Sequence, residues 1–182
     1  MALTFTPFPD LGNSCPEFRL PAVDGKTYSL KDFANGKPLV VVFMCNHCPY
    51  VKAVEDRLIT LGLDLKKESV NMVAICSNDP ADYPEDSFEN LQKRAREKNY
   101  PFTYLHDESQ EVARLFGAVC TPDFFVYDGA LKLVYRGRLD DSWKEASRVT
   151  KRELYEAVKV LLKGQKVSEE QTASMGCSIK WK

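Results

Sequence analysis

Several absences narrow this chain before any motif is read. Its longest clean apolar run, LVVVFMC at 39–45, falls far short of the roughly 20 residues a membrane-spanning helix needs. The opening MALTFTPFPDLG has no basic stretch followed by an apolar core, so no secretory signal is read there and the expected compartment is the cytoplasm. Neither sign of charge is in excess: 25 Lys and Arg stand against 26 Asp and Glu, a net charge of −1. Nothing therefore calls for a nucleic acid or a membrane as partner. Cysteine is sparse, six in 182 residues, well under the roughly 8–10% of disulfide scaffolds. A chain of this length buries a sufficient core without staples, so paired cysteines read as catalytic or metal-binding. There is no internal repeat and no low-complexity segment. The length suits one domain, expected over residues 1–163, followed by a tail at 164–182.

What is present alternates between two periods. EFRLPAVDGKTYSL reads as two short strands around an Asp24-Gly25 turn, an N-terminal hairpin extension. LVVVFMC is a continuous β-branched run, the mark of a strand buried on both faces. From Cys48 the spacing changes: Val51, Val54, Leu58, Leu61 and Leu65 recur at three- and four-residue steps, predicting a helix to about Lys67 with Pro49 in its first turn. A second buried strand is expected at 70–76, an exposed charged helix at 87–98, a strand at 102–105 and a short helix ending at Gly117. DFFVYD and LKLVYRG flank Gly129 as an antiparallel hairpin. Thr150 and Glu153 predict a capping box for a last helix over 151–163. Strands alternating with helices predict an α/β fold with a mixed central sheet flanked by helices.

The chemistry concentrates in FMCNHCPYV, where Cys45 and Cys48 straddle the predicted strand-to-helix junction. The reactive form of cysteine is the thiolate, and a free thiol has a pKa of about 8.5. A helix N-terminus carries roughly half a positive charge and favours the thiolate; His47, if protonated, adds to it. Two intervening residues bring the sulfurs close enough to bond. Structural zinc usually needs two such pairs, whereas this chain has one, with only His47 and His106 as histidines. A redox pair is the stronger reading, with a metal site or two inert core cysteines as the alternatives.

GAVCTPDFFVYD follows some 70 residues later. A strand ending in Cys-x-x-Cys, a helix, then Thr121-Pro122 opening a hairpin resembles the thioredoxin superfamily. LGNSCPEFRLPAVDGKTYSLKDF and HDESQEVARLFGAVCTPDFFVYD are similar to its alkyl hydroperoxide reductase/thiol-specific antioxidant branch, which includes peroxiredoxins. FMCNHCPYVKA with GCSIKWK resembles a peroxiredoxin-like group within it. The resemblance implies a thioredoxin fold, a cis Thr121-Pro122 bond shaping a substrate groove, and Cys45 and Cys48 as the catalytic pair, with Cys45 attacking and Cys48 resolving. It also implies a protein or small-molecule disulfide as substrate and a thiol reductant as electron donor. The sulfurs carry the electrons, so no organic cofactor is implied.

The departures from the branch matter as much. Peroxiredoxins carry Pro-x-x-x-Thr-x-x-Cys with their peroxidatic cysteine at the position of Cys48, so Val41 and Cys45 stand where the proline and threonine would be. Pro122 stands where they use an arginine. These losses favour thiol–disulfide exchange over peroxide reduction; a thiol-dependent peroxidase and a copper- or zinc-handling protein are the alternatives. Cys120 and Cys177 are candidate third thiols, since the first precedes Pro122 and the second alternates with Ile179 and Trp181 in strand-like spacing. His106, Arg136, Arg138, Asp140 and Asp141 are expected at the surface.

Overall fold

The computed structural model describes residues 3–182. In chain order its strands and helices are β1 (Leu3–Phe5), β2 (Arg19–Pro21), β3 (Thr27–Ser29), β4 (Leu39–Phe43), α1 (Pro49–Lys67), β5 (Asn71–Cys76), α2 (Phe88–Lys98), β6 (Thr103–His106), α3 (Glu111–Phe116), β7 (Cys120–Thr121), β8 (Asp123–Tyr127), β9 (Leu133–Tyr135), α4 (Glu153–Leu162) and β10 (Met175–Ser178). The central sheet runs β6-β5-β4-β8-β9. Its β4, β5 and β6 are parallel, while β8 and β9 are antiparallel to their neighbours. This is the mixed sheet that the alternation of patterns implies. Among the described residues no helix is long and apolar enough to cross a membrane.

The apolar run of β4 is buried throughout because both of its faces are covered. Val40, Val42 and Met44 pack with Val54, Leu58 and Leu65 of α1 and with Leu154 and Val158 of α4. Leu39, Val41 and Phe43 face the other way, against Val112 and Phe116 of α3 and against Leu20 of the β2–β3 hairpin. A side chain of this kind contributes about 1.5–3 kcal/mol when fully buried, and successive residues of β4 contribute to opposite layers.

β4 ends at Phe43, two residues earlier than the apolar run suggests. The Met44 N–H still pairs with the Ile75 carbonyl at 2.9 Å. Beyond it the Asn46 and His47 N–H groups turn to the buried carboxylate of Asp86, and the chain leaves the sheet there. The expected capping box at Thr150 does not form. Thr150 gives its hydroxyl and N–H to Asp141, Glu153 pairs with Arg138, and α4 starts from Arg152 with no side-chain cap. A competing carboxylate nine residues upstream in sequence captures the capping hydroxyl.

Three residues expected at the surface are inside. Arg136 spans the Asp123 carboxylate, with an N–O distance of 2.9 Å, and the pair is almost fully buried. Asp140 is buried against Arg57 at 2.6 Å. His106 is stacked on Phe88, with ring centroids 5.2 Å apart. His106 and Arg136 lie at strand ends and Asp140 in the loop after β9, where periodicity does not report which side faces the core.

Residues 164–182, read from the sequence as a tail, carry β10. It lies antiparallel between β1 and β7, with Cys177 opposite Leu3 on one side and opposite Thr121 on the other. Ile179 beyond it is buried with the α3 face of the core. The approach to β7 is close: a Cβ on Gly176 would stand 1.9 Å from the Thr121 carbonyl oxygen. Gly176→Ala is therefore expected to lower the unfolding free energy by about 1–3 kcal/mol, the usual cost of overpacking, in a urea titration. An unchanged midpoint would show that β10 is not seated on β7.

Candidate active site

Cys48 is the N-cap of α1, with Pro49 at the first helical position, where the missing N–H costs nothing. The Val51 N–H of that first turn meets its sulfur. Cys45 sits three residues earlier, just past the end of β4. Their exposures are 0% and 1%. The cis Thr121-Pro122 bond closes the other side. The Thr121 carbonyl lies 3.1 Å from Cys48 Sγ, and the Thr121 hydroxyl lies 3.4 Å from Cys45 Sγ.

His47 does not aim its proton at the sulfurs. Its Nδ1 is 3.6 Å from Cys45 Sγ but 2.5 Å from Asp86 Oδ2. Asp86 also accepts from the Asn46 N–H at 2.7 Å, the His47 N–H at 3.1 Å and Asn78 Nδ2 at 2.9 Å. Burial alone would raise the Asp86 pKa, but the bonds from His47, Asn78 and Asn46 outweigh it and hold the carboxyl below the usual range. An ionised carboxylate only accepts, so Nδ1–H is the donor in the His47–Asp86 bond. The ring also stacks on Tyr83 at 4.1 Å.

The surroundings of the two thiols differ: those of Cys48 favour a thiolate, whereas the expectation from the sequence puts the attacking sulfur at Cys45. Cys48 is pushed down to about 4: the Cys45 S–H donates to it, burial opposes, and the Thr121 hydroxyl, the Cys177 thiol and the Val51 N–H add their support. Cys45 is held well above an ordinary thiol by burial, by its bond to Cys48 and by the Asp86 charge. The Thr121 carbonyl at 3.1 Å works against a charge on Cys48, because it suits a thiol proton. Four donors against that one acceptor favour the thiolate at Cys48. Two features of position make the same assignment: Cys48 sits on the helix N-terminus, and Cys45 sits nearer the carboxylate.

Of the candidate third thiols, Cys177 reaches the pair and hydrogen-bonds Cys48. Cys120 turns into its own bend, 3.6 Å from the Pro122 carbonyl, with its pKa raised by burial and the Asp123 charge. Pro122 lines a cavity of about 170 Å³ whose walls are mostly apolar, with Phe5, Tyr50, Phe124 and Trp143, and whose rim carries Arg138 and Asp141; Thr121 faces the sulfurs instead. Asp86, Asn78 and Tyr83 are the site residues that sequence reasoning missed. They lie in SNDPADYPEDS, a polar loop whose composition carries no sign of burial.

Cys45, His47 and Asp86 bring their ligand-type atoms within 4.8 Å of one another. A 2.5 Å N–O separation is a hydrogen bond, whereas two light-atom ligands of one tetrahedral zinc stand about 3.3 Å apart, given bonds of about 2.0–2.1 Å. The bonds from Asn46, His47 and Asn78 fix Asp86 where it is. The cluster suits a proton relay better than a metal cage.

Comparison with known proteins adds to this geometry. A family model described as AhpC/TSA family matches residues 11–136. Peroxiredoxin Q, chloroplastic, from Populus jackii is 29% identical over 145 residues, covering 70% of this chain and 60% of that protein. A crystal structure of an uncharacterized conserved protein from Geobacillus kaustophilus superposes with a TM-score of 0.94 at 46% identity, covering 100% of this chain and 97% of that one. The thioredoxin domain of a thiol-disulfide oxidoreductase from Bacteroides vulgatus superposes with a TM-score of 0.63 at 18% identity, covering 83% and 96%. The fold is therefore the thioredoxin fold.

The position of the charge has a kinetic signature. With Cys48 ionised down to about pH 4, its alkylation by iodoacetamide should be nearly flat between about pH 6 and about pH 9, read against its own rate at neutral pH. An ordinary thiol gains about tenfold per pH unit below its pKa of about 8.5. Mass spectrometry of the alkylated peptides separates Cys48 from Cys45. A tenfold rise per unit at Cys48 would contradict the assignment.

Proposed function

Since this chain belongs to the AhpC/TSA family, a family of thiol-based oxidoreductases, we propose that it is a thiol–disulfide oxidoreductase whose redox couple is Cys45 with Cys48. The observation that carries the reading is the placement of both sulfurs at the head of α1 against the cis Thr121-Pro122 bend, in surroundings that favour a thiolate at Cys48 and a thiol at Cys45. Such a pair holds both partners of a disulfide in contact and supplies a nucleophile at neutral pH.

The Cys48 sulfur attacks a disulfide R–S–S–R′. A Cys48–S–R bond forms, the R–R′ sulfur bond breaks and R′S⁻ leaves. A second thiol of the site then displaces RS⁻ from Cys48, giving up its proton to the leaving sulfur. The net change oxidises the Cys45 and Cys48 thiols to a disulfide and reduces R–S–S–R′ to two thiols. An external thiol reductant reverses the change on the enzyme. His47, locked to Asp86 and Tyr83, keeps the Asp86 charge beside Cys45 and so keeps that thiol protonated until it is needed. The apolar cavity beside Pro122 fits an apolar side chain of the substrate.

The peroxidase reading draws on one observation, that the ionised sulfur is at the position of the peroxidatic cysteine. Peroxide cleavage also needs donors aimed at the charge that develops on the oxygen. The buried Arg136 is committed to Asp123 and the half-buried Arg57 to Asp140, and by the resemblance Cys45 stands in place of the threonine. Disulfide exchange therefore comes first.

Two assays separate the readings. Reduction of glutathione disulfide by the reduced protein should be lost in Cys48→Ser. The second-order rate of Cys48 with hydrogen peroxide should match that of an ordinary free thiol. A peroxide rate several orders of magnitude higher, with slow disulfide exchange, would put the peroxidase first.

A further inference from the structure

Three sulfurs, not two, meet at the head of α1. β10 is hydrogen-bonded to β7 directly opposite Thr121, and this pairing brings Cys177, itself 1% exposed, onto Cys48. The seat is specific. Gly176 leaves no room for a side chain against Thr121, Ser174 Oγ donates to the Pro122 carbonyl at 2.9 Å, and the Ile179 N–H pairs with the Val119 carbonyl at 3.1 Å. Past the strand, the Lys180 N–H donates to Asn78 Oδ1 at 2.9 Å. Asn78 in turn donates to Asp86, and the Lys180 ammonium lies 5.5 Å from the centre of the Tyr83 ring that stacks on His47. The segment carrying Cys177 is thus held by the same residues that hold His47.

We propose that Cys177 is a third redox thiol of this site, the one that first resolves a mixed disulfide on Cys48. The proposal rests on the reading of Cys45 and Cys48 as the redox couple. In the resting site, burial and then the negative Cys48 oppose ionisation of Cys177, and Lys180 favours it. Once Cys48 is joined to a substrate sulfur its charge is gone, and with it one of the obstacles to Cys177. The obstacle to Cys45 includes Asp86, which stays charged throughout. Cys177 is placed first because the β10–β7 pairing seats it on Cys48, while Asp86 still opposes Cys45. Cys177 sulfur attacks Cys48 sulfur, the Cys48–S–R bond breaks, and RS⁻ leaves with the proton from Cys177. Cys45 sulfur then attacks Cys48, the Cys48–Cys177 bond breaks, and the departing Cys177 sulfur takes the Cys45 proton. No oxidant beyond the substrate disulfide is consumed.

The test uses the full chain with Cys45→Ser, reduced, then mixed with one equivalent of glutathione disulfide, acid-quenched, alkylated and mapped by mass spectrometry. The expected product is a Cys48–Cys177 disulfide with no retained glutathione. A stable glutathione adduct on Cys48 with Cys177 fully alkylated would overturn the proposal. Wild-type protein quenched over time provides the second measurement and does not depend on the folding of the variant. Cys48–Cys177 should appear before Cys45–Cys48, and direct passage to Cys45–Cys48 would equally reject a role for Cys177 while leaving the couple intact. Wild-type protein that forms no linkage at Cys48 would overturn the couple and this proposal together.

Discussion

The place of Cys48, on the head of a helix and fully enclosed, sets the terms for everything around it, because its surroundings favour a thiolate there. An ion in such a place is expensive unless donors meet it on several sides. The donors here come from four separated segments: the first turn of α1, Cys45 after β4, Thr121 beside the cis peptide, and Cys177 on β10. None of the four is local to another in sequence, apart from Cys45. The helix start, the bend before Pro122 and the C-terminal strand must all be in place before the thiolate is stable, so the reactivity of the site is coupled to the completeness of the fold.

A second buried charge, Asp86, does the opposite work. Held below its usual range by His47, Asn78 and backbone N–H groups, it opposes ionisation of Cys45 from the far side. Two thiols three residues apart are thus driven in opposite directions by their surroundings, one by a helix terminus and the other by a carboxylate. Pairs of titratable groups pushed apart in this way divide the roles of nucleophile and proton carrier. The buried Arg136–Asp123 pair at the start of β8 serves the scaffold: it also reaches the Gly117 carbonyl at 2.8 Å and so ties the end of α3 to the bend that carries Thr121.

The differences from peroxiredoxins become coherent in this light. By the resemblance Cys45 stands at the threonine position, where it faces Cys48 and adds a group that can be oxidised. Pro122 in the arginine position brings no cation but presents the Thr121 backbone to β10.

Much of the fold was legible from pattern. β4, α1, the β2–β3 hairpin and the β8–β9 hairpin follow from apolar period and turn residues, because those elements are stabilised by one or two continuous apolar faces. The spacing of Cys45 and Cys48 at a strand–helix junction, and Thr121-Pro122 before a hairpin, were equally legible as local signals. Which thiol carries the charge was not, and neither was the value of Asp86, Arg136 or Asp140. Charged residues read as solvated until the fold supplies a buried partner, and Asp86 is 39 residues from His47 in sequence. The place of Cys177 is the clearest case. Alternation marked a strand at the C-terminus, but its register against Thr121 depends on backbone groups 56 residues away and on the space left by a single glycine. The sequence by itself determined the periodic elements and the pair of sulfurs; only tertiary structure decided the electrostatics, since charge stabilisation here comes from contacts between segments that no local pattern links.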